Sequence, residues 1–418
     1  MAELLESVAE RVVVKQYASA SIDPSVAAVS SSALGASDGQ VLRHVSHNLS
    51  LQKDVYAEDE VRTDRTRPME KHGTRRVPGN INGLLSAGTY ELLMEAILQG
   101  TWNTTAVAGD ETDFTSCAAD NTTAKFTLGG GNPVTEGFRV GDIIRFTNLS
   151  AAANNATNFV ILGFGGSNNR EITVYPAPTT HTADTSFSVT TVGGSVFAPA
   201  SGHVRRKFGV EVYNSDGDIS RLFTEGRFSG FDLSIAPNQM ARINFSGLWR
   251  NREVYSGSDA PFFTSPVAET TTDVISSMAG LLRINGSNVA VVTGLSLAFN
   301  RAPTAPAQIH AQGLTPGILL ANAVVTGSFT AFLQDTAMMS AYSDEDEIEL
   351  LVYLPASNEI APDALTIYAP RIKLNSNNET TIEGAKAIEC GFTAGRYFGS
   401  GAGIESTVLR IVDTAVTS

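Results

Sequence analysis

Two cysteines stand in 418 residues, Cys117 and Cys390, too far apart in the chain to build a disulfide framework or a zinc cluster. Long apolar runs are missing as well. No stretch reaches the roughly 20 residues that a membrane-spanning helix needs, and Glu3 and Glu6 stand where a secretory leader would carry positive charge. These absences point to a protein made in the cytoplasm. Charged residues are scarce, and the acidic ones outnumber the basic ones by 43 to 29, so no surface is built to hold phosphates by releasing counterions. DNA is thereby excluded as a gripped ligand but not as a passing neighbour, because a weakly repelling wall suits a conduit.

Signatures of chemistry are equally thin. There is no G-x-S-x-G elbow. Gly129 to Gly131 lacks the Lys-Ser/Thr and helix start of a phosphate cradle. Asn214 to Asp218 and Ser343 to Glu347 are acidic but lack the spacing of a calcium loop, and read as a hairpin turn and a solvated helix end or acidic patch. His44 and His47, three apart on a strand, point to opposite faces, and His72, His181, His203 and His310 are scattered. No metal, no cofactor and no enzymatic activity are expected. Paired carboxylates that meet only in space stay open.

What is present is Gly, Thr, Ser and Asn in quantity, with 37 glycines favouring strands and turns over long helices. A chain of this length holds several domains. Residues 1–40 are Ala/Ser-rich and read as an arm. A strand follows through Val45, Leu49 and Leu51, then a run of eleven charges of both signs from Glu58 to Arg76, with Pro68 and Gly73 as breakers, which cannot be core. RVPGNINGLL gives a strand through Val77, Ile81 and Leu84. GTYELLMEAILQ gives a helix with Thr89 as cap, Leu92, Leu93, Ala96 and Ile97 as its packing face and Gly100 as its stop. Residues 103–204 carry few charges and many turn signals, around GFRVGDIIRF, FVILGF and REITVYP, and read as an inserted small β-barrel or sandwich. Two hairpins follow, turning at Asp216-Gly217 and at Pro237-Asn238. Residues 251–280 read as a linker and 396–418 as a C-terminal arm.

The same order of elements then recurs. VTGLSLAF matches HNLSLQ, with Leu295 and Leu297 in the places of Leu49 and Leu51. VVTGSFTAFL matches RVPGNINGLL, pairing Gly327 with Gly79, Phe329 with Ile81 and Phe332 with Leu84. Asp335 to Tyr342 replaces the helix, IELLVYLP matches FGVEVYN, and residues 370–392 make the last hairpin. Residues 41–102 with 205–250, and 281–395, thus read as two versions of one domain. Their long loops differ, the first highly charged and the second, 300–322, holding only Arg301.

The block EVRTDRTRPMEKHGTRRVPGNINGLLSAGTYELLMEAILQGTW, the segment GFRVGDIIRF, and GLLRINGSNVAVVTGLSLAFN with VVTGSFTAFL resemble the major tail-tube proteins of phages with long non-contractile tails, over most of residues 40–395. The resemblance implies a mainly β fold: two tail-tube-type β-sandwich domains, each with one flanking helix, whose inner strands join those of neighbouring subunits into a barrel around a channel. It also implies trimeric rings of six domains, with the tape measure, tail terminator and distal tail proteins as further partners. By the same resemblance Glu58, Asp59, Glu60, Arg62, Asp64, Arg65, Arg67, Glu70, Lys71, Arg75 and Arg76 form the arm that reaches the adjacent ring. The alternative is a virion decoration protein, or a receptor- or carbohydrate-binding one, with the insert as its recognising part; a hydrolase with an appended β domain is the third.

Overall fold

Short alternating apolar runs broken by Gly, Asn and Asp can fold only by pairing edge to edge, and strands make up most of the chain. The computed structural model describes residues 9–20, 33–57, 61–66, 69–277, 280–289, 292–307, 309, 313–334 and 336–417. First come β1 (Glu10–Gln16), β2 (Ser37–Leu42), β3 (Ser46–His47), β4 (Gln52–Tyr56), β5 (Lys71–Leu84) and helix α1 (Glu91–Leu98). Eight short strands follow: β6 (Ala108–Asp110), β7 (Phe114–Asp120), β8 (Lys125–Gly130), β9 (Ile143–Thr147), β10 (Phe159–Gly165), β11 (Glu171–Tyr175), β12 (His181–Asp184) and β13 (Ser188–Thr191), with helix α2 (Pro133–Glu136) between β8 and β9. Next are β14 (Gly194–Phe197), β15 (Phe208–Asn214), β16 (Ile219–Ile235), β17 (Arg242–Trp249), β18 (Asn251–Ser256) and β19 (Ser265–Val267). The remainder holds β20 (Leu281–Ile284), β21 (Ser287–Asn288), β22 (Val292–Asn300), β23 (Pro303–Thr304), β24 (Leu319–Leu320) and β25 (Val324–Phe332). Helix α3 (Ala337–Ser343), β26 (Glu347–Pro355), β27 (Ala364–Ile382), β28 (Ala385–Ala394) and β29 (Arg410–Asp413) complete it.

The strands outside the eight-stranded unit form a sandwich in each half of the chain. In the first, an inner layer β3-β5-β17-β16 faces an outer layer β2-β1-β15-β16-β18. In the second, the inner layer is β22-β25-β28-β27 and the outer one β20-β26-β27-β29-β14. The long strands β16 and β27 belong to both layers of their halves, and each changes layer through a β-bulge, which bends the strand. The bulges coincide. On β16 the register shifts between Phe208·Gly226 and Val210·Phe223, on β27 between Ile348·Ile372 and Leu350·Ala369. A second shift falls between Phe228·Gly247 and Gly230·Ser246 in one half, and between Leu374·Phe392 and Ser376·Gly391 in the other.

These registers align β5 with β25 through Gly79 and Gly327. They align Leu49 with Leu297, because each lies opposite the matching glycine, two residues away from the match read from the sequence. An ion pair occupies the same place in both halves with its signs exchanged. At the first bulge Lys207 Nζ meets Glu225 at 2.7 Å, and at its counterpart Glu347 meets Arg371.

The eight-stranded unit has the order β12-β7-β8-β11-β10-β9-β13-β6 and curls over itself, so that Phe126 on β8 touches Phe146 on β9 (centroids 4.2 Å) although β11 and β10 stand between their strands, in keeping with the small β-barrel or sandwich expected. Its own core includes Phe114, Phe126, Phe146 and Phe159. Its other face packs Val140, Ile143, Val160 and Leu162 against Leu351, Tyr353, Ala364 and Tyr368 of the second half's outer layer.

Several segments read as arms or linker are instead part of the sheets. Val12, Val13 and Val14 of β1 are fully buried, β18 and β19 pair within the first half, and β29 is buried between β14 and β27. In α1, Leu93, Ala96 and Ile97 are buried and Leu92 is half-buried against the core. Thr89 does not cap it: its hydroxyl pairs with Ser86 Oγ at 2.6 Å and Thr270 Oγ1 at 2.5 Å, and the left-handed residue at the C-terminus is Gln99 rather than Gly100.

Buried charge recurs in this core, and two places bear on stability. Glu225, 3% exposed, accepts from Lys207 and from Arg250 Nη1 (2.8 Å), and Arg250 Nε donates to Thr315 O at 2.5 Å. Asp413 accepts from the backbone N–H of Gly88 (2.8 Å) and of Ala415 (3.0 Å), yet burial outweighs these bonds and pushes its carboxyl up to about 6, helped by the charges of Glu91 and Asp363.

Glu225→Gln strips the counter-charge from two buried cations. It should cost about 3–5 kcal/mol in a denaturant titration. For Asp413, the folded state holds an extra proton between the free value near 4 and about 6, so stability falls as pH rises through that window and the loss is complete above it. Asp413→Asn should remove that fall, leaving the variant more stable than the parent by up to about 3 kcal/mol at pH 7.5 and similar to it near pH 4. Equal pH profiles for the two proteins would contradict the assignment.

Candidate assembly surface

Side chains alternate across a strand, so the inner layers present one face to the core and one outward. The core face is apolar and holds Ile81, Phe245, Phe231, Leu297, Phe329 and Phe392. The open face carries short hydroxyls and amides: Asn80 and Asn82 on β5, Asn244 and Ser246 on β17, Ser234 on β16, Ser296 on β22, Thr326 and Ser328 on β25, and Thr393 on β28. Many bond across strands, as Asn82 Nδ2 does to Ser46 Oγ (3.0 Å), Ser296 Oγ with Ser328 Oγ (2.9 Å), and Asn375 Nδ2 to Thr393 Oγ1 (3.2 Å). Its charges, among them Asp232, Arg242, Lys373 and Glu389, are of both signs. Sequence reasoning did not single out this face, although small polar residues at alternate positions in NINGLL, INFSGL and VTGSFT carry the signal.

The two inner layers are one sheet. β16 pairs with β22 from Gly230·Asn300 to Ile235·Leu295, and the joint is closed on the core side by Phe231 stacked on Phe299 (centroids 5.9 Å, planes 10° apart) and by Leu233 opposite Leu297. The sheet therefore ends in two edges. One is the segment around β3, where Asn48 and Ser50 donate to the carbonyls of Asn80 (3.1 Å) and Pro78 (3.5 Å). The other is the distal part of β27, Ser376–Ile382, which pairs with β28 on one side and with no described strand on the other.

From the first edge an arm projects as the hairpin β4/β5. Its return limb is strand from Lys71 onward, so Lys71, Arg75 and Arg76 lie on β5 rather than in a loop. Gly73 does not break that strand. It makes room for the Tyr56 ring, whose Cε2 lies 2.0 Å from where a Cβ would stand. Arg76 Nη1 pairs with Asp54 across the hairpin at 3.0 Å, and Arg62 with Asp64 near its tip at 3.4 Å. Arg65 holds a left-handed turn (φ 56°), and Glu70 is exposed. Glu58, Asp59, Glu60 and Arg67 lie outside the described residues. The tip also exposes Val61 and Met69 almost completely.

The sparsely charged loop after β22 takes another course. It leaves as the β23/β24 ladder, and its middle lies on the base of the charged arm, where Arg75 N donates to Gly313 O at 2.7 Å and Leu314 and Thr315 are buried. Arg301, at its start, donates from Nε to Ile97 O at the end of α1 (3.1 Å).

The acidic runs behave as turns and ion pairs: Asp218 accepts from Tyr213 Oη at 2.8 Å, and Glu345 pairs with Lys373 at 2.6 Å. His47 Nε2 meets Glu10 at 3.0 Å. Among the described residues no three His, Cys, Asp or Glu side chains gather to hold a metal, and no helix is long and apolar enough to cross a membrane. A cavity of about 340 Å³ is lined chiefly by apolar side chains such as Leu282, Leu295, Val352 and Leu354 and has no titratable group.

Residues 9–394 match the family described as phage tail tube protein, a span that includes the arm, the eight-stranded unit and both sandwiches except β29. No curated protein matches the chain. Proteins of that family are structural components of the virion that assemble with themselves and with other tail proteins. With a β-sandwich fold, open sheet edges and a match over nearly its whole length, the chain belongs to the phage tail tube protein family.

Proposed function

We propose that this chain is the tube-forming subunit of a long, non-contractile phage tail: three copies close into a ring of six like domains, and stacked rings enclose the channel through which DNA passes. The observation that carries this reading is the sheet that runs unbroken from the first half to the second, with the same strand order and the same bulges in each. Two halves that tile side by side in one chain are copies of one tube domain, and what tiles twice can tile further around an axis. The open face of Asn, Ser and Thr then lines the channel. Its neutral side chains offer DNA no cluster of cations to hold it, so the DNA in the lumen is a transient occupant without a binding site.

The inserted unit stands on the outer layer, on the side opposite the open face, and so lies on the exterior of the tube. The arm from Glu58 to Arg76 reaches the adjacent ring, and its mixed charges set register between rings more than they add affinity. The sparsely charged loop, seated on the arm's base, braces it and takes no part in stacking. Assembly takes place in the host cytoplasm, with the tape measure, tail terminator and distal tail proteins as partners and without membrane insertion. The chain is not an enzyme.

Negative-stain microscopy of the purified protein should show rings or hollow tubes; compact separate particles at all concentrations would refute the reading. Arg62→Glu with Arg65→Glu should leave the thermal melt within a degree or two of the parent and abolish long tubes while rings persist. Tubes of normal length from this double variant would remove the arm from the stacking contact.

A further inference from the structure

We infer that the edge of β27 receives residues 47–52 of a second copy of this chain in the register that β16 and β22 use within one copy. The inference deepens the ring-forming reading above and rests on it. β16 and β27 carry the same two bulges against matching partners, so Gly230 corresponds to Ser376 and Ile235 to Thr381. On the other side, Ser46 lies opposite Asn82 and Gln52 opposite Arg76, in the same register with β5 as β22 has with β25, so Leu295 corresponds to His47 and Asn300 to Gln52. Transferring the internal joint to two copies fixes the contact from Ser376 opposite Gln52 to Thr381 opposite His47. A shift by one residue is excluded, since strands sharing a sheet keep their pleats in phase and the slip would set the core-facing Leu49 opposite an open-face side chain of β27.

A second contact has a template in the same joint. Arg301, which directly follows β22, caps the C-terminal end of α1. Its counterpart is Lys53, which directly follows Gln52 and is exposed. In the joint between copies Lys53 meets the end of α3, where Asp344, Glu345 and Asp346 follow Ser343 and are exposed. Cation and acidic helix end are complementary in charge. The two joints also differ in strength. Within the chain, Phe231 on Phe299 and Leu233 on Leu297 close the core side; between copies these places hold Asn377 with Leu51 and Glu379 with Leu49. The joint between copies is the weaker one, which lets subunits exist apart before they assemble.

The register is read by disulfide trapping in tubes whose assembly is checked by microscopy. Directly opposite residues have Cβ atoms about 4.5–5.5 Å apart and diagonal ones about 7–8 Å, while a disulfide needs about 3.5–4.5 Å. Four positions on the open face suffice: Asn378→Cys with Ser50→Cys, and Thr380→Cys with Asn48→Cys, are in register, whereas Asn378→Cys with Asn48→Cys, and Thr380→Cys with Ser50→Cys, are two residues out. The native Cys117 and Cys390 are fully buried and stay in place. Under mild oxidation both in-register pairs should convert most subunits to covalent dimers and trimers on non-reducing gels, and both shifted pairs should leave monomers. Tubes that cross-link equally or better through the shifted pairs, or through none, overturn the register while leaving the ring-forming reading intact. A parent protein that forms neither rings nor tubes overturns both.

Discussion

A β-strand with an empty side leaves a row of backbone N–H and C=O groups that must be hydrogen-bonded by water or by another strand, and every large feature of this chain is arranged around that demand. The chain meets it internally once, where β16 accepts β22 and the inner layers become one sheet. Among the described residues the inner sheet leaves it open at its two ends, the segment around β3 and the distal part of β27. The outer layers end in short strands, β19 and β18 in the first half and β21 and β14 in the second, of two to six residues, which are poor templates for further pairing.

The bulges make that division possible. A strand of 17 or 19 residues, as in β16 and β27, would run past a sandwich of this size if it stayed straight. An extra residue bends it so that its first part serves the outer layer and its last part the inner one. An ion pair spans the bend at both places, Lys207 with Glu225 and Glu347 with Arg371. In the first half the pair is covered by Tyr17 and by the loop carrying Thr315, and Arg250 joins it; in the second it is open to solvent. The exchanged signs preserve the attraction, so either half keeps its bend.

Much of this was legible in the sequence, because alternation and turn residues are local. The hairpins at Asp216-Gly217 and Pro237-Asn238, the packing face of α1 and the matched glycines at 79 and 327 follow from such signals. What could not be read depends on distant partners. A two-residue slip preserves the side-chain alternation of a strand, so Leu49 and Leu51 fitted Leu295 and Leu297 as well as the true register did. The high charge of Glu58–Arg76 concealed that its last six residues are strand, because a projecting hairpin has no core face to make apolar. β1 and β29 were read as arms since partners of theirs lie about two hundred residues away. Nor could the open face be assigned before it was known which strands share a sheet.

The central claim is that the two bare edges meet each other in the assembled protein and the internal joint stays as it is. Hydrogen exchange of the free subunit against the assembled tube measures this directly. The alternate backbone amides of 376–382 and 47–52 that face the open edges should become protected by several orders of magnitude on assembly, while those of 230–235 and 295–300 exchange slowly in both states. Edge amides that exchange as fast in the tube as in the free subunit would contradict the account.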